Sequence, residues 1–335
     1  MDIVEPIVVL SLASHLICMN VASVMPLVAV WFERREAQGD LVAGEWGRKL
    51  LWQSLGLLLA GVGFGALVGF VLWNTAYDTA LDRMWTKVLF GIAELFFSLV
   101  LILVQALWWR RPRMSADGAT ATTSAPVASK GKGSRIGRAV LAFLSTSNLL
   151  YHFPILMVVM SRAAAGLDAE PQVLDAAAFR ARMVDPLILS RCLHFIVASP
   201  AITGAWMIAW AWLRSGDNSG NGETTAQSED SIVASGYERL AVWGARLALV
   251  PTLLQIPTGI WLLVAQPAHI QSRLMGGQMI PTICFGLSVF LAMSLMHLLA
   301  SISLGKATRP KMLRTLIVLS AVVVLMTVVL RALGQ

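Results

Sequence analysis

Several ionisable side chains lie inside long apolar runs of the sequence, where such residues are rare, and five of them are candidates for a site: His15, Glu94, His152, Arg191 and His194. A charged or imidazole group in hydrocarbon is costly, so such residues usually face the interior of a helix bundle and serve a function. Histidines from facing helices can ligate haem iron, and a carboxylate can ligate it or deliver protons. An arginine one turn from a histidine is placed to pair with a haem propionate. These residue types therefore predict a haem site.

The positions of His15, Glu94, His152 and His194 predict a common depth in the membrane. Measured from the outer ends of four predicted helices, at a rise of about 1.5 Å per residue, all four lie roughly 10–13 Å below the outer surface. A shared layer favours one cofactor site with several ligands. The simpler alternative is that each side chain only forms a hydrogen bond with a neighbouring helix. The sequence leaves both interpretations open.

Membrane-spanning helices must position these residues. The 335-residue chain is 57% hydrophobic and 13% charged, whereas about 25% of the residues of a soluble domain are charged. Its apolar runs have the length of about 20 residues that crosses a bilayer. The sequence thus predicts an all-α integral membrane protein, a bundle of about eight transmembrane helices surrounded by lipid. The expected helices are 7–31, 50–73, 85–108, 138–160, 187–212, 240–265, 280–303 and 311–332.

The distribution of positive charge predicts the orientation of the bundle. Basic residues cluster after the first predicted helix, between the third and fourth, and before the eighth. By the positive-inside rule these connections are cytoplasmic, and both termini lie on the outer (periplasmic) side of a bacterial cytoplasmic (inner) membrane. Topology explains the net charge of +7, so this charge gives no reason to expect a nucleic acid as partner.

Two segments rich in small and polar residues divide the chain. Residues of about 114–134 and 216–236 are predicted to be disordered or flexible cytoplasmic loops. The first loop lies within a predicted haem-binding unit of five helices, residues 1–215. The last three helices form the predicted unit 237–335. The three cysteines form no CxxC or CxxCH motif, so neither a zinc site nor covalent c-type haem is indicated.

Three segments resemble the haem-bearing helices of a known family. They are SHLICMNVASVMPLVAVWFERR (14–35), KVLFGIAELFFSLVLI (87–102) and VDPLILSRCLHFIVASPAITGAWMIAWAWLRSGD (184–217). In order and spacing they resemble subunit I of the cytochrome bd quinol oxidases, over roughly residues 1–215 and more faintly to 300. The third segment is the most similar, because it has a basic residue three positions before its histidine.

The resemblance implies roles for individual residues. His15 would be the axial ligand of the oxygen-reactive haem, and Glu94 the catalytic carboxylate beside or on that iron. His194 would ligate a low-spin haem b, and Arg191 would pair with its propionate. The implied cofactor is haem b, with haem d an option at the His15/Glu94 site. The implied activity is that of an oxidoreductase, and the implied partner is a subunit-II-like membrane protein.

The chain also departs from the family pattern. The quinol-binding loop is reduced to QPAHIQSRLMGGQ, and the family's GRQPW and EFQFG motifs are missing. Cys284 stands where the family has the methionine ligand of the low-spin haem, and Met279 or His152 is the alternative ligand. These departures predict a shortened relative with one or two haems. Its electrons would come from an outer donor such as a cytochrome c.

Three functions are therefore candidates. The first is a haem-binding subunit of a respiratory electron-transfer complex that reduces oxygen. The second is a non-catalytic haem b subunit for electron transfer or assembly. The third is a haem-free protein, either a transporter with a histidine proton relay or a structural membrane subunit.

Overall fold

The computed structural model describes residues 4–109, 132–164, 175–215 and 227–333. Helices account for nearly all of this part of the chain. Eight of them are long: α1 Val4–Ala37, α2 Leu41–Val71, α3 Thr75–Trp108, α4 Lys132–Ala164, α6 Pro186–Arg214, α7 Gln227–Val264, α9 Met279–Ser303 and α10 Arg309–Leu333. The connections contain two short helices and a π-helical turn: α5 Ala176–Met183, α8 Ala268–Ser272 and Arg273–Gly277.

Each long helix contains a segment long and apolar enough to cross a membrane. The chain is a multi-pass membrane protein, as its composition predicts. Arg331 donates hydrogen bonds of 3.2 Å to both carboxylate oxygens of Glu5. The start of α1 and the end of α10 therefore lie together at one end of the bundle. The side of the membrane that this end faces stays a prediction.

Several helices begin well before the apolar run that identifies them. Helix α2 begins at Leu41 and α3 at Thr75, whereas their apolar runs predict starts at 50 and 85. The side chain of Asp40 accepts a hydrogen bond from the backbone of Ala43, and that of Asn74 accepts one from Tyr77. These caps satisfy N–H groups that a first turn leaves free. The polar residues between cap and apolar run therefore remain helical.

The two predicted loops fall mostly outside the described residues. Their last parts, 132–134 and 227–236, are instead the first turns of α4 and α7. The predicted boundary at 237 falls inside α7, next to Gly236, where the membrane-length segment of that helix begins. Once a membrane segment has nucleated a helix, each further residue extends it at little cost, so polar residues can remain helical in water.

Helix α1 is the central element of the bundle, because it packs against α2, α4, α6 and α10. In the most apolar 18-residue stretch of α1, 56% of the residues are buried within the protein, compared with 17% in the corresponding stretches of α7 and α10. The peripheral helices thus present apolar side chains outward, as a bilayer requires.

One end of the bundle, called the basic end below, is where α1, α3, α6 and α9 finish and α2, α4, α7 and α10 begin. Glu33 near the end of α1 binds Arg138 near the start of α4. Trp109 after α3 donates a hydrogen bond of 3.0 Å to Glu36 of α1. These contacts tie the helix ends together. The opposite end is called the termini end.

Candidate functional site

Glu94 of α3 and His152 of α4 form a polar pair between neighbouring helices. Nδ1 of His152 lies 2.6 Å from Oε1 of Glu94 and 3.0 Å from Oδ1 of Asn148. With Glu94 ionised, both oxygens are acceptors and Nδ1 donates. Asn148 donates to the backbone carbonyl of Glu94 at 2.8 Å and to the hydroxyl of Ser98 at 2.7 Å. The four residues form one network across α3 and α4.

This network lies at the surface of the chain. The side chain of His152 is 45% exposed and that of Glu94 is 13% exposed. Phe90 and Phe97, on either side of Glu94 in α3, are also largely exposed. An ionisable pair on an apolar face is costly in contact with hydrocarbon. The α3–α4 face is therefore suited to being covered by a cofactor or another protein.

His15 of α1 is oriented by helix α2. Its Nδ1 lies 2.7 Å from the backbone carbonyl oxygen of Gly61. A carbonyl oxygen only accepts, so Nδ1 carries the proton and Nε2 keeps a lone pair. Metal-ligating histidines are commonly fixed in this way. A Cβ atom at Gly65 would lie 2.8 Å from Cε1 and Nδ1 of the imidazole. The missing side chain at Gly65 therefore makes room for the ring.

His194 of α6 lies against α7. Its backbone carbonyl accepts a hydrogen bond of 3.0 Å from Nε2 of Gln255. Nδ1 of His194 and Oε1 of Gln255 are both buried without a hydrogen-bond partner. Each such atom costs about 1–3 kcal/mol. One unsatisfied atom belongs to the imidazole and the other to the neighbouring Gln255 side chain. Such a pair is consistent with a site that holds a further group, and a haem ligated by His194 would be such a group.

Arg191 lies one turn before His194 on α6. Its guanidinium is 3.5 Å from the side-chain oxygen of Gln266, which follows α7. No described carboxylate pairs with Arg191. The guanidinium of Arg191 offers paired donors that a carboxylate accepts, and a haem propionate has the right charge.

Contacts between parallel helices relate the depths of the candidates. The Ser199 hydroxyl of α6 donates a hydrogen bond of 2.5 Å to the side-chain oxygen of Asn20 in α1. His15 lies five residues before Asn20, and His194 lies five residues before Ser199. Likewise Glu94 lies eleven residues before Gln105, which donates to the carbonyl of Pro26, eleven residues after His15. His15, Glu94 and His194 are thus level to within about two helical turns.

The structure joins Glu94 and His152 directly but leaves His15 and His194 at separate helix interfaces. Oε1 of Glu94 contacts His152, and no hydrogen bond links Glu94 to His15. Within the described residues, no three His, Cys, Asp or Glu side chains group closely enough to hold a bare metal ion. Haem iron needs only one or two protein ligands, so the axial assignments stay predictions.

The alternative second ligands of the low-spin haem differ in their surroundings. Cys284 is half-buried in α9, whereas Met279 begins that helix and is 77% exposed. His152 already binds Glu94 through Nδ1. The choice among the three stays a prediction.

Three polar residues of these interfaces were missed in the sequence: Ser98, Asn148 and Gln255. A signal for two of them was present, since Ser98 follows Glu94 by four residues and Asn148 precedes His152 by four. Residues four apart share a helix face. Gln255 is an isolated amide in an apolar run. A polar side chain in hydrocarbon is costly, so this residue was also a candidate for a functional role.

No protein-family model matches the sequence, and no curated protein matches it.

Proposed function

We propose that this protein is a haem-binding membrane subunit of a bacterial respiratory electron-transfer complex, a shortened relative of subunit I of the cytochrome bd oxidases. The observation that carries the proposal is the half-buried imidazole of His194 beside α7, whose buried Nδ1 has no hydrogen-bond partner, like the buried side-chain oxygen of Gln255. Haem b, when bound there, supplies a one-electron redox centre.

The chain's own residues would bind and orient this group. His194 offers a ligand nitrogen, and Arg191 offers a cation for a propionate. At its separate interface with α2, His15 would offer Nε2 as a ligand for the oxygen-reactive haem, because the Gly61 carbonyl holds the proton on Nδ1. Glu94 and His152, 2.6 Å apart, can hold and exchange a proton at the α3–α4 face.

The network between α3 and α4 also supports a partner subunit. A second membrane protein, similar in role to the family's subunit II, would cover the exposed side chain of His152 and remove it from lipid. The donor of electrons would be an outer protein such as a cytochrome c, since the connection between α7 and α9 is short.

The proposal is tested by the dithionite-reduced minus oxidised spectrum of the purified full-length protein, with a pyridine haemochrome to identify the haem. We expect haem b bands, and we expect His194→Ala to lose the low-spin bands. His297→Ala is the control, because it removes an exposed histidine from α9 and should leave the spectrum unchanged. A colourless wild-type protein, expressed with ample haem, would overturn the proposal.

Two other functions predict different results. A non-catalytic haem b subunit would show reversible spectra without oxygen consumption. A haem-free proton-relay or structural protein would be colourless, and the observation that favours it is the surface pair of Glu94 and His152. Such a pair can carry protons without any iron.

A further inference from the structure

A groove of about 340 Å³ opens at the basic end, between the end of α6 and the start of α10. Its lining residues are Trp212, Arg309, Pro310 and Leu313. The guanidinium carbon of Arg309 lies 5.5 Å from the centre of the Trp212 ring. The lining of this open groove thus combines apolar side chains with one cation. Tryptophan is typical of the level at which lipid headgroups meet acyl chains.

Charges at the basic end are distributed unevenly. On the side of α1 and α2, each described acidic side chain is paired with a base: Glu33–Arg138, Glu36–Arg48, Asp40–Arg239 and Glu45–Lys49. The side formed by α6, α9 and α10 has cations and no described carboxylate: Arg214, Lys306, Arg309, Lys311 and Arg314. The sequence contains no Asp or Glu after Glu238. Among the residues that the structure describes, the groove therefore opens within an excess of positive charge.

We propose that this groove binds an anionic glycerophospholipid of the membrane. Arg309 would bind the phosphate, because a guanidinium presents a planar fork of donors that matches phosphate oxygens. Trp212, Pro310 and Leu313 would contact the glycerol and the first part of an acyl chain. The surrounding cations would favour an anionic over a zwitterionic headgroup. This site is separate from the proposed haem site, and neither depends on the other.

The geometry distinguishes this site from general attraction of a basic surface to lipid. Arg34 also lies at the basic end, at the end of α1, and its side chain is exposed. It lines no part of the groove. A lipid held only by surface charge would respond equally to Arg34 and Arg309. A lipid in the groove would depend on Arg309 and on the free space beside Leu313.

Native mass spectrometry of the full-length protein in neutral detergent tests the proposal. Phosphatidylglycerol and phosphatidylcholine are titrated separately, with inorganic phosphate as competitor. We expect phosphatidylglycerol to bind more tightly, and Arg309→Gln to weaken its binding about fivefold. Arg34→Gln, the matched control, should change it little. Equal losses in both variants, equal binding of both lipids, or displacement by inorganic phosphate would each overturn the proposal.

A second variant tests the shape of the groove without changing its charge. Leu313→Trp replaces an aliphatic side chain of the groove with a bulkier indole ring while retaining Arg309. Because Leu313 is 38% exposed, the substitution should preserve the fold, which circular dichroism would verify. We expect lower occupancy by phosphatidylglycerol. Unchanged occupancy in this variant would show that the lipid binds elsewhere.

Discussion

Glu33 and Arg138 form an ion pair that is almost completely buried between α1 and α4. Nε of Arg138 lies 3.0 Å from both carboxylate oxygens of Glu33, and Ser134 accepts a further hydrogen bond of 2.6 Å from Nη1. The guanidinium also lies over Trp108. Each charge is therefore matched and hydrogen-bonded, which is the condition under which a buried pair is tolerated.

Arg138→Met should destabilise the protein by about 3–5 kcal/mol, because the carboxylate of Glu33 would remain buried without its counter-ion. The double variant Glu33→Leu/Arg138→Met should recover most of this loss. Unfolding in mixed detergent and dodecyl sulfate micelles, followed by circular dichroism, measures both effects. Arg34→Met, an exposed change in α1, is the control, and an equal loss there would contradict the argument.

Glu94→Gln should separate proton handling from haem binding. The amide retains an oxygen that can accept from His152, so the α3–α4 contact should persist, but it cannot carry a proton. If the protein reduces oxygen, turnover should fall by about 100-fold or more, while the low-spin bands assigned to His194 remain. Oxygen uptake and visible spectra of one sample measure both. Glu45→Gln, which alters a surface pair with Lys49, should have neither effect.

Candidate site residues could be named from the sequence, but the directions of their side chains could not. An ionisable residue in an apolar run is identified by its type alone, which is why His15, Glu94 and His194 could be named. Whether His15 faces α2, or Glu94 faces His152, depends on the rotation and register of packed helices. Those are fixed by contacts between distant segments, for example the space left by Gly65.

At the scale of elements, α6 and α7 pack closely because each has a glycine at their contact. A Cβ atom at Gly204 would overlap the carbonyl oxygen of Gly244 and lie 2.8 Å from the backbone nitrogen of Ala248. Such close approach is common between membrane helices, where small residues replace the hydrophobic driving force. The same interface places Gln255 beside His194.

Gly204→Ala should therefore destabilise the bundle by about 1–3 kcal/mol through overpacking, although alanine favours helix intrinsically. The separation of α6 from α7 should also weaken haem retention at His194. Gly69→Ala is the matched control, since a Cβ there meets nothing within 4 Å, and it should be neutral or slightly stabilising. Thermal unfolding together with haem content decides the matter; full stability of the Gly204 variant would refute the close contact.

The number and approximate position of the spanning helices could be predicted, but their ends could not. Apolar length is set by bilayer thickness, so each of the eight runs marks a helix. The ends depend on single capping side chains such as Asp40 and Asn74, and on polar turns that stay helical outside hydrocarbon. Short helices such as α5, in the connection between α4 and α6, carry no membrane signal at all.

At the scale of the whole molecule, apolar side chains cover the middle of the bundle and charges collect at its ends. Phe70, Phe90 and Phe290 are each more than half exposed, which water would penalise and a bilayer does not. The basic end has an excess of Arg and Lys on the side of α6, α9 and α10. The positive-inside rule assigns such an end to the cytoplasm.

Labelling of single cysteines in intact cells tests this orientation, in a background without Cys18, Cys192 and Cys284. Ala268→Cys places a thiol in exposed α8 at the termini end, and Lys306→Cys places one in the exposed turn before α10 at the basic end. With the basic end in the cytoplasm, a membrane-impermeant maleimide should label the first in intact cells and the second only after lysis. The reverse pattern would place the termini inside. With the termini inside, His15 and His194 would lie nearer the cytoplasmic face than the outer face. An electron donor on the outer side would then be excluded.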